Sequence, residues 1–384
     1  MKKIFTLYIV VMLMVLTISS VNAFSLEQTV KDLSVKEIRV GLKSLASNKL
    51  TMNLVGKYKI NNNIVENQTI TISIKNNKLI LNNRVESVID IRPQTRGSNI
   101  YMKYKKKEHY FNGRFIVRPS KGEVLPINII SLEDYIKGVL PYEMSSGYPV
   151  EALKAQAVSA RNYGVTSVNK HRNEKFDVCD SIHCQVYKGI YKDCSKIKSA
   201  VKETNGEILM DGNKVVKAFF YSSNGGYTES SKNLWNSEHD YLISQRDEFD
   251  SDSWEEKLSS KEIDTILKRK RYLRKGERFI AINNTKKGEN NRVQSINITY
   301  KNSQGNVLYK SINGEGTRTA LSLKSNYYNI EYLSNSDIYK ISGRGFGHGV
   351  GLSQIGAKNR ALNGHSYRDI LGFYYKGSVI KKTP

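Results

Sequence analysis

Acidic residues, prolines, cysteines and long apolar runs are all scarce in this 384-residue chain, which has 36 Asp plus Glu against 60 Lys plus Arg, 6 Pro and 3 Cys. The acid shortage leaves a formal charge of +24. That excess points to anionic partners, most simply cell-wall polymers or an anionic membrane face. The low proline count and 39% apolar content allow a real core in one large or two modest domains. With three cysteines, one is left over whatever the other two do. No internal repeat or long low-complexity segment is visible, and no DNA-reading or RNA-reading motif appears.

Only one long apolar run is present, at residues 4–18 behind Lys2 and Lys3, and Val21-Asn22-Ala23 reads as a small-residue cleavage site. This is the pattern of an export signal in residues 1–23, either cleaved or retained as an N-terminal membrane anchor. A buried core helix is a poor alternative, because the run offers no polar face. The remainder is therefore expected to be soluble and outside the cytoplasm. Export also counts against nucleic acid as the partner.

The rest of the chain reads as an α+β protein, mainly antiparallel sheet with a central helical segment and a substrate groove between them. Residues 38–118 alternate, as in Thr69-Ile70-Thr71-Ile72-Ser73-Ile74, with Asn-rich turns between strands. From Leu132 the pattern becomes helical behind Ser131, a turn follows at Pro141, and a longer helix begins at Pro149. Leu153, Ala157, Ala160 and Gly164 share one narrow face of that helix. Strands return beyond Phe219, including residues 293–300. The expected core is residues 38–250 and 290–377, within a catalytic region of residues 24–377 that leaves a tail at 378–384. Residues 251–289 read as a peripheral, highly charged helical insertion, and the basic block at 268–271 within it reads as a solvated helix face.

Glu143 is the best acid candidate, flanked by apolar and aromatic residues in the Pro141-Tyr142-Glu143-Met144 turn. Desolvation there would raise the carboxyl pKa, as a general acid near neutral pH requires. A partly exposed structural glutamate is the competing reading. Glu133 and Asp134 read as first-turn residues favoured by the helix dipole.

His171, Cys179, His183 and Cys184 lie within fourteen positions and offer the donor types that tetrahedral zinc prefers. In an exported protein a Cys179–Cys184 disulfide is an equal alternative on composition. A site with four protein ligands would be closed and structural. Cys194 reads as a buried thiol or a substitute ligand.

In Gly343 to Gly351, glycine alternates with Arg344, Phe346, His348 and Val350, a strand-like run bare on one face that a bulky substrate or a facing strand could approach. Ser353 is placed to cap the helix that follows, which Gly364 would end. Nucleotide-loop spacings are absent, and this counts against a phosphate cradle.

Five segments in order then resemble the stage II sporulation protein D family: LEDYIKGVLPYEM at 132–144, YPVEALKAQAVSAR at 148–161, CDSIHCQVY at 179–187, YSSNGGYT at 221–228 and GRGFGHGVGLSQIGA at 343–357. The resemblance covers residues 38–377. It implies a membrane-anchored lytic transglycosylase acting on peptidoglycan glycan strands during forespore engulfment, beside an amidase or endopeptidase and a membrane partner at the septal membrane. It assigns the family's catalytic glutamate to Glu143, acid and then base in forming a 1,6-anhydro end. One carboxylate serves both steps, and no obvious second one lies near the motifs. It also implies a structural zinc at His171, Cys179, His183 and Cys184, with His171 the loosest match, and groove roles for Arg161, Tyr187, Ser353 and Gln354. The glycine run then reads as one wall of a glycan groove. Structural bonding is the alternative for Arg161 and His348, and bracing of the sheet for Arg318. A non-catalytic wall-binding scaffold and a zinc-dependent hydrolase are the competing functions.

Overall fold

The computed structural model describes residues 35–104, 107–191 and 194–383. The expected export signal at residues 1–23 lies outside them. Among the described residues no helix is long and apolar enough to cross a membrane. The architecture is α+β with mostly antiparallel sheets, as expected from the sequence. Eight helices are described: α1 (Leu132–Glu143), α2 (Val150–Thr166), α3 (Ser195–Glu203), α4 (Ser231–Trp235), α5 (Ser260–Arg269), α6 (Gly316–Thr319), α7 (Gln354–Leu362) and α8 (Tyr367–Tyr374). The chain divides into two compact units, one of residues 35–147, 156–217 and 379–383, the other of residues 148–155 and 218–378.

The first unit is built on a seven-stranded and a six-stranded sheet. Period-two patterning places the strands: in Lys49–Val55, Leu50, Met52 and Leu54 are buried while Lys49, Thr51 and Val55 are exposed. Positive-φ asparagines at Asn61, Asn76, Asn77, Asn82 and Asn83 make the turns of this meander. The strand Glu37–Gly41 sits between Glu123–Ser131, antiparallel, and Val178–Cys179, parallel. That short parallel pairing ties the segment carrying Cys179 to the main sheet.

Helix α1 begins where expected, with Ser131 Oγ accepting from Asp134 N at 3.2 Å, a cap worth about 1 kcal/mol. It does not turn at Pro141. The helix runs through that proline to Glu143, and the extended Met144 closes it by donating to Leu140 O. Pro141 stands in the last turn, so only one intrahelical bond is lost there. Gly138 is required on this helix, since a Cβ would come within 2.6 Å of the Tyr187 ring and Gly189 O.

The second unit holds two three-stranded sheets and a short parallel pair. Residues 251–289 are not a peripheral helical insertion. Ser253–Ser259 is a strand paired antiparallel with Ile338–Arg344, and only then does α5 follow. Trp254, Ile263, Leu267, Leu273 and Phe279 pack in one core with Val293, Ile298, Tyr328 and Ile341. The charge density of the segment belongs to its outer face, which leaves apolar positions at helical and strand spacing to turn inward.

The glycine run also departs from expectation. Strand geometry stops at Arg344, and Gly345, Gly347, Gly349 and Gly351 all have positive φ, from 70° to 116°. What approaches this bare backbone is protein. A Cβ on Gly351 would lie 2.1 Å from Phe219 O, and one on Gly349 would lie 2.7 Å from the Arg292 guanidinium carbon. Of the two partners the sequence allowed, a facing segment is the one present.

Candidate active site and metal-ligating loop

Glu143 is the last residue of α1 and is half-buried. Its Oε1 accepts a 2.9 Å hydrogen bond from the backbone N–H of Val186. Burial pushes the carboxyl above the usual carboxylate range, and the Val186 N–H offsets part of that shift by favouring the anion. The neighbouring Tyr142 ring lies edge-on to Tyr191 at 6.0 Å, with Lys188 Nζ 5.4 Å from its centroid. A partly desolvated acid with one oriented oxygen is suited to giving and retaking a proton.

Val186 belongs to the cysteine–histidine loop. His171, Cys179, His183 and Cys184 bring one donor atom each to within 4.8 Å of one another. The spacings are 3.4 Å from His171 Nε2 to Cys184 Sγ, 3.5 Å from His183 Nδ1 to Cys184 Sγ and 3.7 Å from His183 Nδ1 to Cys179 Sγ. Tetrahedral zinc with ordinary Zn–S and Zn–N bonds would hold sulfur and nitrogen about 3.5 Å apart, so the residues fit. All three described cysteines are free thiols. Hydrogen bonding from Cys184, then from Ser181 and His183, favours the thiolate at Cys179, while the proton is held on Cys184. His171, the loosest match by sequence, is fixed on its other nitrogen, where Nδ1 faces Glu174 Oε1 at 3.4 Å and Glu174 in turn pairs with Lys43. A carboxylate behind the far nitrogen orients an imidazole for a metal.

The loop is tied down on both sides of the cluster. Asp177 accepts from Arg39 N, Arg39 Nε and Asn169 N. Gln185, fully buried, accepts from Tyr135 OH at 2.9 Å. Cys184 and Val186 are two residues apart, so whatever fixes the cluster fixes the N–H that holds Glu143.

The proposed substrate contacts need correction. Arg161 is 1% exposed and clamps Glu133 through Nε and Nη2 at 2.7 and 2.8 Å, with Nη1 on Glu207 O. Tyr187 is buried, with its hydroxyl on Asn128 Oδ1 and its ring against Phe111 and Tyr135. Ser353 is buried and caps α7 through Gly356 N while donating to Asp250 Oδ2 at 2.6 Å. Buried groups with satisfied hydrogen bonds cannot touch a polymer without breaking those bonds. Gln354, first residue of α7, keeps a partly exposed side chain. His348 is structural, with Nε2 on Phe220 O and Nδ1 accepting from Val350 N. Arg318 pairs with Glu315. Cys194 is the half-buried N-cap residue of α3.

Sequence reading missed Val186, whose contribution is a backbone N–H, and Glu133, whose partner lies 28 positions away. Glu174 was missed as well, although its place three residues beyond His171 could have pointed to it.

A family profile described as Stage II sporulation protein matches residues 120–210, and one for a domain of unknown function, DUF8618, matches residues 209–351. Stage II sporulation protein D of Bacillus subtilis is 30% identical over 271 residues, covering 66% of this chain and 75% of that protein. An uncharacterized protein of Brachyspira hyodysenteriae is 30% identical over 342 residues, 86% of this chain and 89% of the relative. The amidase enhancer of Bacillus subtilis is 33% identical over 290 residues, 64% of this chain, which spans only 40% of that longer protein. The chain belongs to the stage II sporulation protein D (SpoIID) family.

Proposed function

We propose that the protein is a peptidoglycan lytic transglycosylase of the sporulation machinery, with Glu143 as its acid and base. The names of the relatives support a role in sporulation and the cell wall. The observation that carries the reaction is the single carboxyl of Glu143, desolvated and held at one oxygen by Val186 N–H. Protonated, it gives its proton to the glycosidic oxygen as the bond from C1 of N-acetylmuramic acid breaks. The resulting carboxylate takes the proton from the 6-hydroxyl of the same sugar as O6 bonds to C1. A 1,6-anhydro end and a free hydroxyl on the leaving sugar result, with no water consumed and the carboxyl restored.

The cluster of His171, Cys179, His183 and Cys184 would hold a zinc ion with four protein ligands, which leaves no open position for substrate. Its chemistry is that of a clip: the ion would fix the loop, and the loop positions Val186 N–H on Glu143. Arg161 acts as a positioning residue, joining α2 to α1 through Glu133. Anchoring by residues 1–23, an extracytoplasmic site of action and cooperation with an amidase belong to the same proposal. The name of the amidase enhancer supports the last of these.

Digestion of purified glycan strands followed by mass spectrometry tests the reaction. The unmodified protein should give 1,6-anhydromuramoyl ends, and Glu143→Gln should lose them by a factor of roughly 100 or more, the scale of acid–base catalysis. Reducing ends alone would replace the proposal with hydrolysis. No product from the unmodified protein would favour a wall-binding scaffold.

A further inference from the structure

The second unit carries a concavity of about 760 Å³ that the Glu143 chemistry does not use. Its floor is one face of the sheet formed by Ser253–Ser259, Ile338–Arg344 and Tyr328–Leu333. Register places Ser253 opposite Arg344, and Glu255 opposite Ser342, which in turn faces Asn329. Tyr327 joins the row through its carbonyl, which accepts from Arg344 N at 2.8 Å. The alternate residues, Trp254, Gly343 and Tyr328, turn to the core. A wall is added by Lys287, the last residue of the strand Arg278–Lys287, and by Asn291 in the connection that follows.

The side chains this face presents are hydroxyls, amides, charges and one half-buried aromatic ring, so polar groups stand beside apolar surface. Such a surface suits a polyhydroxylated ligand, whose hydroxyls need many donors and acceptors and whose C–H face can lie on a ring. The ring is prepared for this. Buried Arg292 lies 5.2 Å from the Tyr327 centroid, and its own guanidinium is held by Asn326 Oδ1 at 2.7 Å and by the carbonyls of Asn224 and Tyr227. The charge balance is uneven. Glu255 already faces Lys257 and Lys340 at 3.9 and 3.5 Å. Lys287 and Arg344 form no ion pair among the described residues, although Lys287 Nζ donates to Asn329 Oδ1. The site therefore presents two cations to whatever enters it, one of them an exposed guanidinium suited to gripping a carboxylate through two N–H groups.

We infer that this concavity is a non-catalytic subsite for an acidic sugar of the glycan strand, with Tyr327 under the ring and Arg344 and Lys287 on the carboxylate. The identity of the glycan rests on the proposed function, while the lining chemistry stands apart from it. The subsite also gives a task to the matched domain of unknown function, within which every lining residue lies.

Binding is measured by ligand-observed NMR on full-length Glu143→Gln protein, so that cleavage does not enter. The probe is the disaccharide of N-acetylglucosamine and N-acetylmuramic acid with a free carboxylate, and the neutral control is the disaccharide of N-acetylglucosamine. The acidic disaccharide should bind at least tenfold more tightly than the control. Arg344→Gln combined with Lys287→Gln, both at the surface of the cavity, should remove that preference without changing the unfolding midpoint. Equal binding of the two disaccharides, or an unchanged preference in the double variant, overturns the inference. So does binding of short-chain polyphosphate without binding of the acidic disaccharide, which would make the site a general anion patch. Preferential binding by a protein that cuts no glycan supports the subsite and counts only against the proposed reaction.

Discussion

In the first unit, the irregular stretch from Val178 to Tyr187 is gathered by two imidazoles and two sulfurs near the surface, with His183 exposed. In the second, the equally irregular stretch from Phe219 to Thr228 and the glycine run are gathered by buried ions. Asp250 accepts from Ser223 Oγ, Asn224 N and Ser353 Oγ, all at 2.6 Å. Asp247 accepts from Arg360 Nη2, Asn224 Nδ2 and Tyr374 OH. Arg292, fully buried, lies directly under Gly349. Under the proposed function the first stretch would depend on an ion that a chelator can compete for. A buried carboxylate lattice depends on nothing outside the chain, but every member is costly to remove.

The largest effect is expected from breaking the lattice. Asp250→Ala would leave Ser223 Oγ and Asn224 N without a partner and Ser353 Oγ with only Ser222 O, at about 1–3 kcal/mol for each buried group left unsatisfied. Both tryptophans, Trp235 and Trp254, lie in the second unit. Urea unfolding followed by their fluorescence therefore reads this unit directly. An unchanged midpoint would show that the glycine run holds itself and that the carboxylates are incidental.

Breaking the clip should act differently. Chelation, or Cys184→Ser, should abolish bound metal and lower Glu143-dependent cleavage by roughly 10- to 100-fold, the usual cost of disturbing a metal's supporting shell. The tryptophan unfolding midpoint should hardly move. Loss of structure around the loop should accompany loss of activity, seen as faster proteolysis between α2 and α3. Immediate inactivation with the loop still protected would instead make the metal catalytic. Full activity without metal would separate the clip from Glu143.

The two kinds of support were not equally legible. The quartet of His171, Cys179, His183 and Cys184 could be read because its donor types are rare in this chain and close in sequence. Ser131 and Ser353 were readable as caps because a cap is local, and Glu143 because its apolar neighbours are adjacent. The lattice was not readable, since Asp250 meets Ser353 across 103 positions, and neither was the first unit's Arg161–Glu133 clamp across 28, because sequence spacing says nothing about such pairs. The same gap led the sequence reading to place Arg161, Tyr187 and Ser353 in a groove, when their polar atoms are used inside the protein. The glycine run misled in another way. Alternation is shared by strands and by chains of left-handed turns, and only the φ angles separate them.

The smallest expected effect is a difference in pH response. His348 sits among Phe219, Tyr221 and Trp235, and burial pushes its pKa down to about 4. Unfolded, the same imidazole titrates near its ordinary value of about 6.5. Between these values the unfolded state binds the extra proton, so this residue's contribution is present above pH 6.5 and is lost as pH falls toward 4. The slope cannot exceed about 1.4 kcal/mol per pH unit for one proton. Glu143 has the opposite sign: its carboxyl is raised by burial, so folding favours the protonated form and its contribution weakens as pH rises through that raised value. From pH 7 to pH 5 the tryptophan-monitored urea midpoint should therefore fall in the unmodified protein and fall less in His348→Gln, while Glu143→Gln, which lies in the unit the tryptophans do not report, should leave that difference unchanged. A pH response of the second unit that is the same with and without His348 would show that this imidazole is not its source.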